Sequence, residues 1–161
     1  MAGDLNIKYG SNNQTITISV ASLANNSARE STAIDNTTNT FIDALLFVIL
    51  KSNAAGTSSS GYCNIYAYGT CNGGTDYSDN ASGSDAAITL TSPPNMKLIG
   101  TINMVANATT YYAGPFSIAA AFNGILPDHW GIVIENKTAA ALDSTSGNHS
   151  VFYQGIEAQY S

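Results

Sequence analysis

The chain has 161 residues, 44% of them hydrophobic and only 10% charged, with a net charge of −6 at neutral pH. A chain of this length can bury about two thirds of its unfolded surface without disulfides or metals, so one domain over 1–161 is predicted, with an arm-like N-terminus over 1–12. Its five basic residues, Lys8, Arg29, Lys51, Lys97 and Lys137, are scattered singly, which argues against a nucleic-acid partner, and its longest apolar stretch, Ala44 to Leu50, is far short of the roughly 18 residues of a membrane span.

Met1 to Gly10 (MAGDLNIKYG) holds an early Asp4, a single Lys8 and no apolar run of about 7 to 15 residues, so it does not read as a secretory leader. Gln14 to Leu23 alternates, with Ile16, Ile18 and Val20 on one face and Thr15, Thr17 and Ser19 on the other, the pattern of a half-buried strand. The polar stretch Asn25 to Thr40 leaves room for a short strand around Ser31 to Ile34. Phe41 to Leu50 (FIDALLFVIL) is apolar on both parities. Its aromatic and β-branched content favours a strand, the alternative being a helix capped by Asn39 or Thr40. As a strand it needs cover on both sides, and a neighbouring subunit over Ile42, Leu46, Val48 and Leu50, or over their odd-numbered counterparts, would provide it.

A Gly/Ser loop, Asn53 to Gly61, leads to Tyr62 to Thr70, where Cys63, Ile65 and Ala67 alternate with Tyr62, Tyr66 and Tyr68. After the polar loop Asn72 to Asp85, strands are predicted at Ala86 to Leu90, Lys97 to Val105 and Tyr111 to Ile118. Ala119 to Phe122 reads as one helical turn stopped by Asn123-Gly124, and Trp130 to Asn136 and Ser150 to Tyr160 close the series. Roughly eight or nine strands with little helix predict an all-β, antiparallel two-sheet sandwich, with a jelly roll as the leading topology.

Chemistry finds little foothold in these residues. Cys63 and Cys71, eight positions apart with no nearby histidine, read as free thiols rather than as a bridge or a zinc site. The sequence has no G-x-S-x-G, S-x-x-K or phosphate-loop motif, and His129 and His149 read as structural histidines. The carboxylates Glu30, Asp35, Glu135 and Glu157 are the candidates for a glycosidase pair. Asp76, Asp79, Asn80 and Asp85 concentrate oxygen ligands without the spacing of an EF-hand, so a solvated acidic turn is the expectation. Seven Asn-x-Ser/Thr sequons (Asn13, Asn25, Asn36, Asn80, Asn107, Asn136 and Asn148) follow from composition. No catalytic residue, cofactor or metal is assigned, and the chain is not expected to be an enzyme. The tyrosines, with flat faces and polar tips, suit a packing ladder, a subunit interface or sugar stacking. The candidate interface is therefore Phe41, Ile42, Leu46, Val48, Leu50, Tyr62, Tyr66 and Tyr68.

The segments Ile34 to Leu50, Tyr66 to Asp79 and Ile88 to Leu142, above all PFSIAAAFNGILPDHWGIVIEN (residues 115–136), resemble small structural proteins of tailed bacteriophages. The resemblance covers most of the chain and is one of overall texture, carrying no site motif. It implies a virion component made in a host cytoplasm, first of all a head decoration or cement protein, with a neck or tail component next. It further implies a jelly-roll-like homotrimer whose partners are a major capsid protein and copies of itself. The main alternative is a receptor- or glycan-binding domain using the tyrosine face and the loops Asn72 to Asp85 and Asn123 to Trp130.

Overall fold

The computed structural model describes residues 4–160. Its strands are β1 (Leu5–Tyr9), β2 (Gln14–Thr15), β3 (Ala28–Glu30), β4 (Ile34–Asp35), β5 (Asp43–Lys51), β6 (Tyr62–Thr70), β7 (Ala86–Ile88), β8 (Lys97–Asn103), β9 (Thr110–Ser117), β10 (His129–Lys137) and β11 (Ser150–Tyr160). Sheet A runs β1-β11-β5-β9, with β2 following β1 along β11; sheet B runs β7-β3-β10-β6-β8, with β4 also on β10. All the pairings are antiparallel. The pairs nest along the chain, β2 with β11, β3 and β4 with β10, β5 with β9 and β6 with β8, and successive pairs fall in alternate sheets. This is the connectivity of a jelly roll, the leading topology expected, built from eleven strands among the described residues where roughly eight or nine were predicted.

Alternation decides what each central strand buries. Ala44, Leu46, Val48 and Leu50 of β5, Ile65 of β6, Trp130, Ile132 and Ile134 of β10, and Val151 and Tyr153 of β11 meet between the sheets. Trp130 stands edge-on to Tyr153 with ring centroids 5.2 Å apart. The helical turn expected at 119–122 is present as a 3-10 turn, Ala119–Phe122, and Asn123 ends it with a left-handed φ of 61°. Leu5–Tyr9, expected as part of an arm, instead pairs along β11; residues 1–3 of that arm lie outside the described residues. The strand expected over Gln14 to Leu23 is confined to Gln14–Thr15 because the chain then crosses between sheets. Ile16 N–H still donates to Val151 O at 3.0 Å, but Thr17 O already accepts from Thr32 N and Ser19 N donates to Asp85.

The crossover is anchored by a buried amide. Asn136 Nδ2 donates to Leu23 O and Ala140 O, both at 2.8 Å, and its Oδ1 accepts from Thr138 N at 2.9 Å and Thr138 Oγ1 at 2.7 Å. All four bonding positions of the amide are filled, so its burial carries no unmet polar cost. Cys63 packs beside it and burial pushes its thiol up to about 12, while Cys71 is exposed; neither forms a disulfide.

Apart from β7, which joins the edge of the sheet, the segment between β6 and β8 lies over the outside of sheet B. Tyr66, Tyr68 and Val133 point outward from that sheet and are buried beneath Ala81 and Met96, with Tyr77, Ile88 and Leu90 alongside. Tyr68 OH donates to Ser31 O at 2.6 Å, and its ring lies so close to Gly131 that a Cβ there would fall 2.3 Å from Tyr68 Cζ. Carboxylates tie the cover to the sheet and, at Asp79, to itself. Glu30 accepts from Ser82 N and Oγ at 2.8 Å each, Asp85 takes Arg29 Nε at 2.6 Å together with Ser19, and Asp79 takes Thr91, Asn95 and the Met96 N–H. The acidic loop therefore spends its oxygens inside the protein, and among the described residues no group of three or more His, Cys, Asp or Glu is placed to hold a metal ion.

Two predictions follow from this packing. Asn136→Ala leaves the Thr138 N–H without its acceptor and removes one donor from each of two part-buried carbonyls; a loss of about 3 kcal/mol is expected in urea unfolding. At Asp85, burial raises the carboxyl's pKa, but the hydrogen bonds from Arg29 and Ser19 outweigh it and the net displacement is downward from 3.8. A carboxylate depressed in the folded state contributes stability above its unfolded value, and that contribution is lost as pH falls through the folded one. Thermal unfolding scans between pH 7 and pH 2 should show stability falling below about pH 4, with a shallower fall in Asp85→Asn, which starts less stable at pH 7.

Candidate interaction surface

The other outer face, that of sheet A, has no covering segment among the described residues. With its even-numbered residues in the core, β5 turns Leu45, Phe47 and Ile49 outward, each half-buried. Register sets their neighbours. Phe152 of β11 lies opposite Phe47, Ser150 opposite Ile49 and Gln154 opposite Leu45. Phe47 and Phe152 stack with centroids 5.4 Å apart and planes at 18°. On the far side Tyr112 of β9 lies opposite Ile49 and is 68% exposed. A bulge between Leu46 and Val48 then brings Pro115 to the same face. Gly114 makes this bulge possible: its φ is +127°, and a side chain there would collide with Leu46 O, 2.5 Å from the Cβ position.

Leu45, Phe47, Pro115 and Phe152 line a groove of ≈ 330 Å³ rimmed by Asn12, Asn13 and Gln154. Gln154 fastens the rim by donating to Gly10 O at 3.0 Å. The face carries no charge until its ends. Asp43 at one end is occupied by Ser117 Oγ at 2.7 Å and Ala119 N at 2.8 Å, and Lys51 at the other lies 3.8 Å from Asp143. An uncharged, aromatic-centred sheet face of this kind is what a protein partner covers.

The candidate interface read from the sequence is corrected here. Leu46, Val48 and Leu50 are core residues with no exposed surface, and it is the odd-numbered set that faces out. Tyr68 is fully buried and Tyr66 is 8% exposed, both under the cover of sheet B. Phe41 closes one end of the core, edge-on to Tyr153 at 6.4 Å and lying over Gly155. Ile42 and Tyr62 are exposed, but they belong to different sheets. Pro115 and Phe152 lie outside the sequence-based candidates, and Tyr112 enters them only among the tyrosines at large. The alternation of Ser150 to Tyr160, with Phe152, Gln154 and Ile156 on one parity, was the available signal.

The remaining candidates are dispersed. His129 Nε2 lies 3.8 Å from Asp35, and its Nδ1 faces Asp128 Oδ1 at 3.5 Å, two buried atoms that make no hydrogen bond. His149 accepts from Lys51 N at Nδ1 and bonds Asp143 O through Nε2 at 2.9 Å, a structural bridge. Glu30, Asp35, Glu135 and Glu157 engage different partners, respectively Ser82, Thr37, Lys137 and Lys8. Glu135 lines a polar groove of ≈ 540 Å³ on sheet B with Tyr66, Lys137 and Asn26. It already accepts from Asn64 at 3.0 Å and Tyr66 OH at 3.3 Å, and the Tyr66 ring is too buried to serve as a stacking platform.

Comparison with protein-family models, curated proteins and solved structures finds no match to this chain.

The two parities of β5 should separate cleanly on mutation. Leu46→Ala empties a core position and should cost about 2–5 kcal/mol, whereas Phe47→Ala, losing mainly its stack on Phe152, should cost about 1 kcal/mol. Paired denaturant titrations check this, and equal losses would contradict the assignment of faces.

Proposed function

We propose that this chain is a structural protein of a bacteriophage virion: a head decoration or cement protein that lies on the outer shell, binding the major capsid protein without catalysing a reaction. The observation that carries the reading is the asymmetry of the sandwich. The centre of sheet B is covered by the chain's own 71–96 segment, while sheet A turns Leu45, Phe47, Ile49, Tyr112, Pro115 and Phe152 outward without such a cover among the described residues. A cement protein needs such a face and a rigid body behind it, and its many lattice contacts substitute for any single tight site.

The test is co-sedimentation of purified protein with preformed, expanded capsids. The wild type is expected to bind at a fixed copy number. Each desolvated aromatic is worth about 1.5–3 kcal/mol, so Phe47→Asp with Phe152→Asp should weaken binding by about a hundredfold or more, while Tyr62→Ala on sheet B binds as wild type. Wild-type protein that does not bind, or a double variant that binds unchanged, overturns the proposal. The Glu135 groove is what favours the rival glycan-binding reading, and reproducible glycan-array signals lost in Glu135→Gln would move the assignment there.

A further inference from the structure

The sheet A edge formed by β1 differs from the other edges of the sandwich. Proteins blunt edge strands by shortness, proline, bulges or charge, because an open edge is a template for pairing. β9 carries the Gly114 bulge and Pro115, β7 has only three residues, and β8 starts at Lys97, is irregular against β6 and runs beside β9. β1 has five residues, LNIKY, in unbroken register with β11 and without proline or bulge.

Which backbone groups it offers follows from one bond. Gly10 N–H donates to Gly155 O at 2.8 Å. Antiparallel alternation then turns the backbone groups of Lys8 and Asn6 toward β11, and those of Leu5, Ile7 and Tyr9 toward the open edge. The same three residues carry apolar side chains that are 67%, 69% and 61% exposed. Across the ribbon they neighbour Tyr160, Ala158 and Ile156.

We infer that two copies of this chain pair edge to edge through β1, antiparallel and two-fold symmetric about Ile7. In that register Ile7 lies opposite Ile7 of the second copy and Leu5 opposite Tyr9, so each of the three exchanges both of its outward backbone groups. The segment is self-complementary in chemistry as well as geometry. The apolar set continues across the join, and Lys8 falls opposite Asn6 while held by its own Glu157 at 3.6 Å, so no like charges stand directly opposed. A one-residue slip would set Lys8 on the wrong face and a two-residue slip would leave apolar side chains unmatched. The pairing is two-fold, a departure from the three-fold arrangement implied by the resemblance to phage proteins, and it does not rest on the capsid reading.

Five-residue strands bury only about a few hundred Å² per copy, less than the roughly 800 Å² of a standard interface, so association should be weak and concentration-dependent. Sedimentation velocity of the full chain from about 10 μM to 1 mM is expected to show a monomer–dimer equilibrium, abolished by Ile7→Lys, which places two ammonium groups face to face at the axis. Ile7 is exposed, so this variant keeps the fold. A second measurement reads the register: on a Cys71→Ser background, Ile7→Cys should oxidise to a covalent dimer, with the two Cα atoms about 5.5 Å apart. Leu5→Cys, whose equivalents lie about 14 Å apart, should not. A single species at every concentration, a trimer, or equal cross-linking of the two cysteine variants overturns the inference.

Discussion

A two-layer sandwich has one interior and two outer faces, and a chain of 161 residues folded as a jelly roll has one long segment left to cover them. Here that segment, 71–96, is committed to sheet B. Polar contacts fix it there beside the apolar plugs Tyr77, Ala81, Met96 and Leu90: Glu30 of the sheet accepts from Ser82 of the cover, and Asp85 of the cover accepts from Arg29 and Ser19. Fixing the cover on one side leaves the other bare, and the outward set of β5 and β11 is the consequence. The fold and the proposed interface are thus two results of one allocation of chain.

The same allocation explains the scarcity of charge. Glu30, Asp35, Asp43, Asp79, Asp85 and Asp143 all accept hydrogen bonds within the protein, so the acidic residues serve largely as internal fasteners. Four of these carboxylates, Asp35, Asp79, Asp85 and Asp143, are lowered in pKa, and where burial opposes that direction the donors prevail. The outward row of sheet A draws none of them between Asp43 and Lys51. A face without charge tolerates desolvation, because no ion on it loses hydration that a partner must replace.

Much of the architecture was legible and the site was not, for a reason of periodicity. Tyr62–Thr70 could be bounded from sequence because its alternation stops at turn residues on both sides, and the start of Ser150–Tyr160 because turn residues precede it. Gln14 to Leu23 alternates equally well yet leaves the sheet after Thr15, since its later backbone groups bond the opposite layer and Asp85. A period of two identifies faces without saying which is inside: Leu46 and Phe47 are equally apolar, and only the position of β10 and β11 relative to β5 separates them. The tyrosine row misled for a related reason. Its cover consists of isolated apolar residues spaced irregularly through a polar loop, a pattern that reads as solvent-exposed until the clamping contacts are known.

Edge and face are also separable in chemistry, which bears on how they combine. The β1 edge recognises through backbone groups and a short apolar row, and the sheet A face through the Phe47–Phe152 stack and its neighbours. Parity along β11 puts Phe152, Gln154, Ile156, Ala158 and Tyr160 on one side, so Leu5, Ile7 and Tyr9 point the same way as the aromatic stack. A pair joined at β1 would therefore present two such faces on one continuous sheet surface. Two weak contacts held in fixed relation bind a repeating lattice far more tightly than either alone, provided their spacing matches the repeat. A marginal edge contact would then form chiefly where copies are held close together, and there it would add avidity.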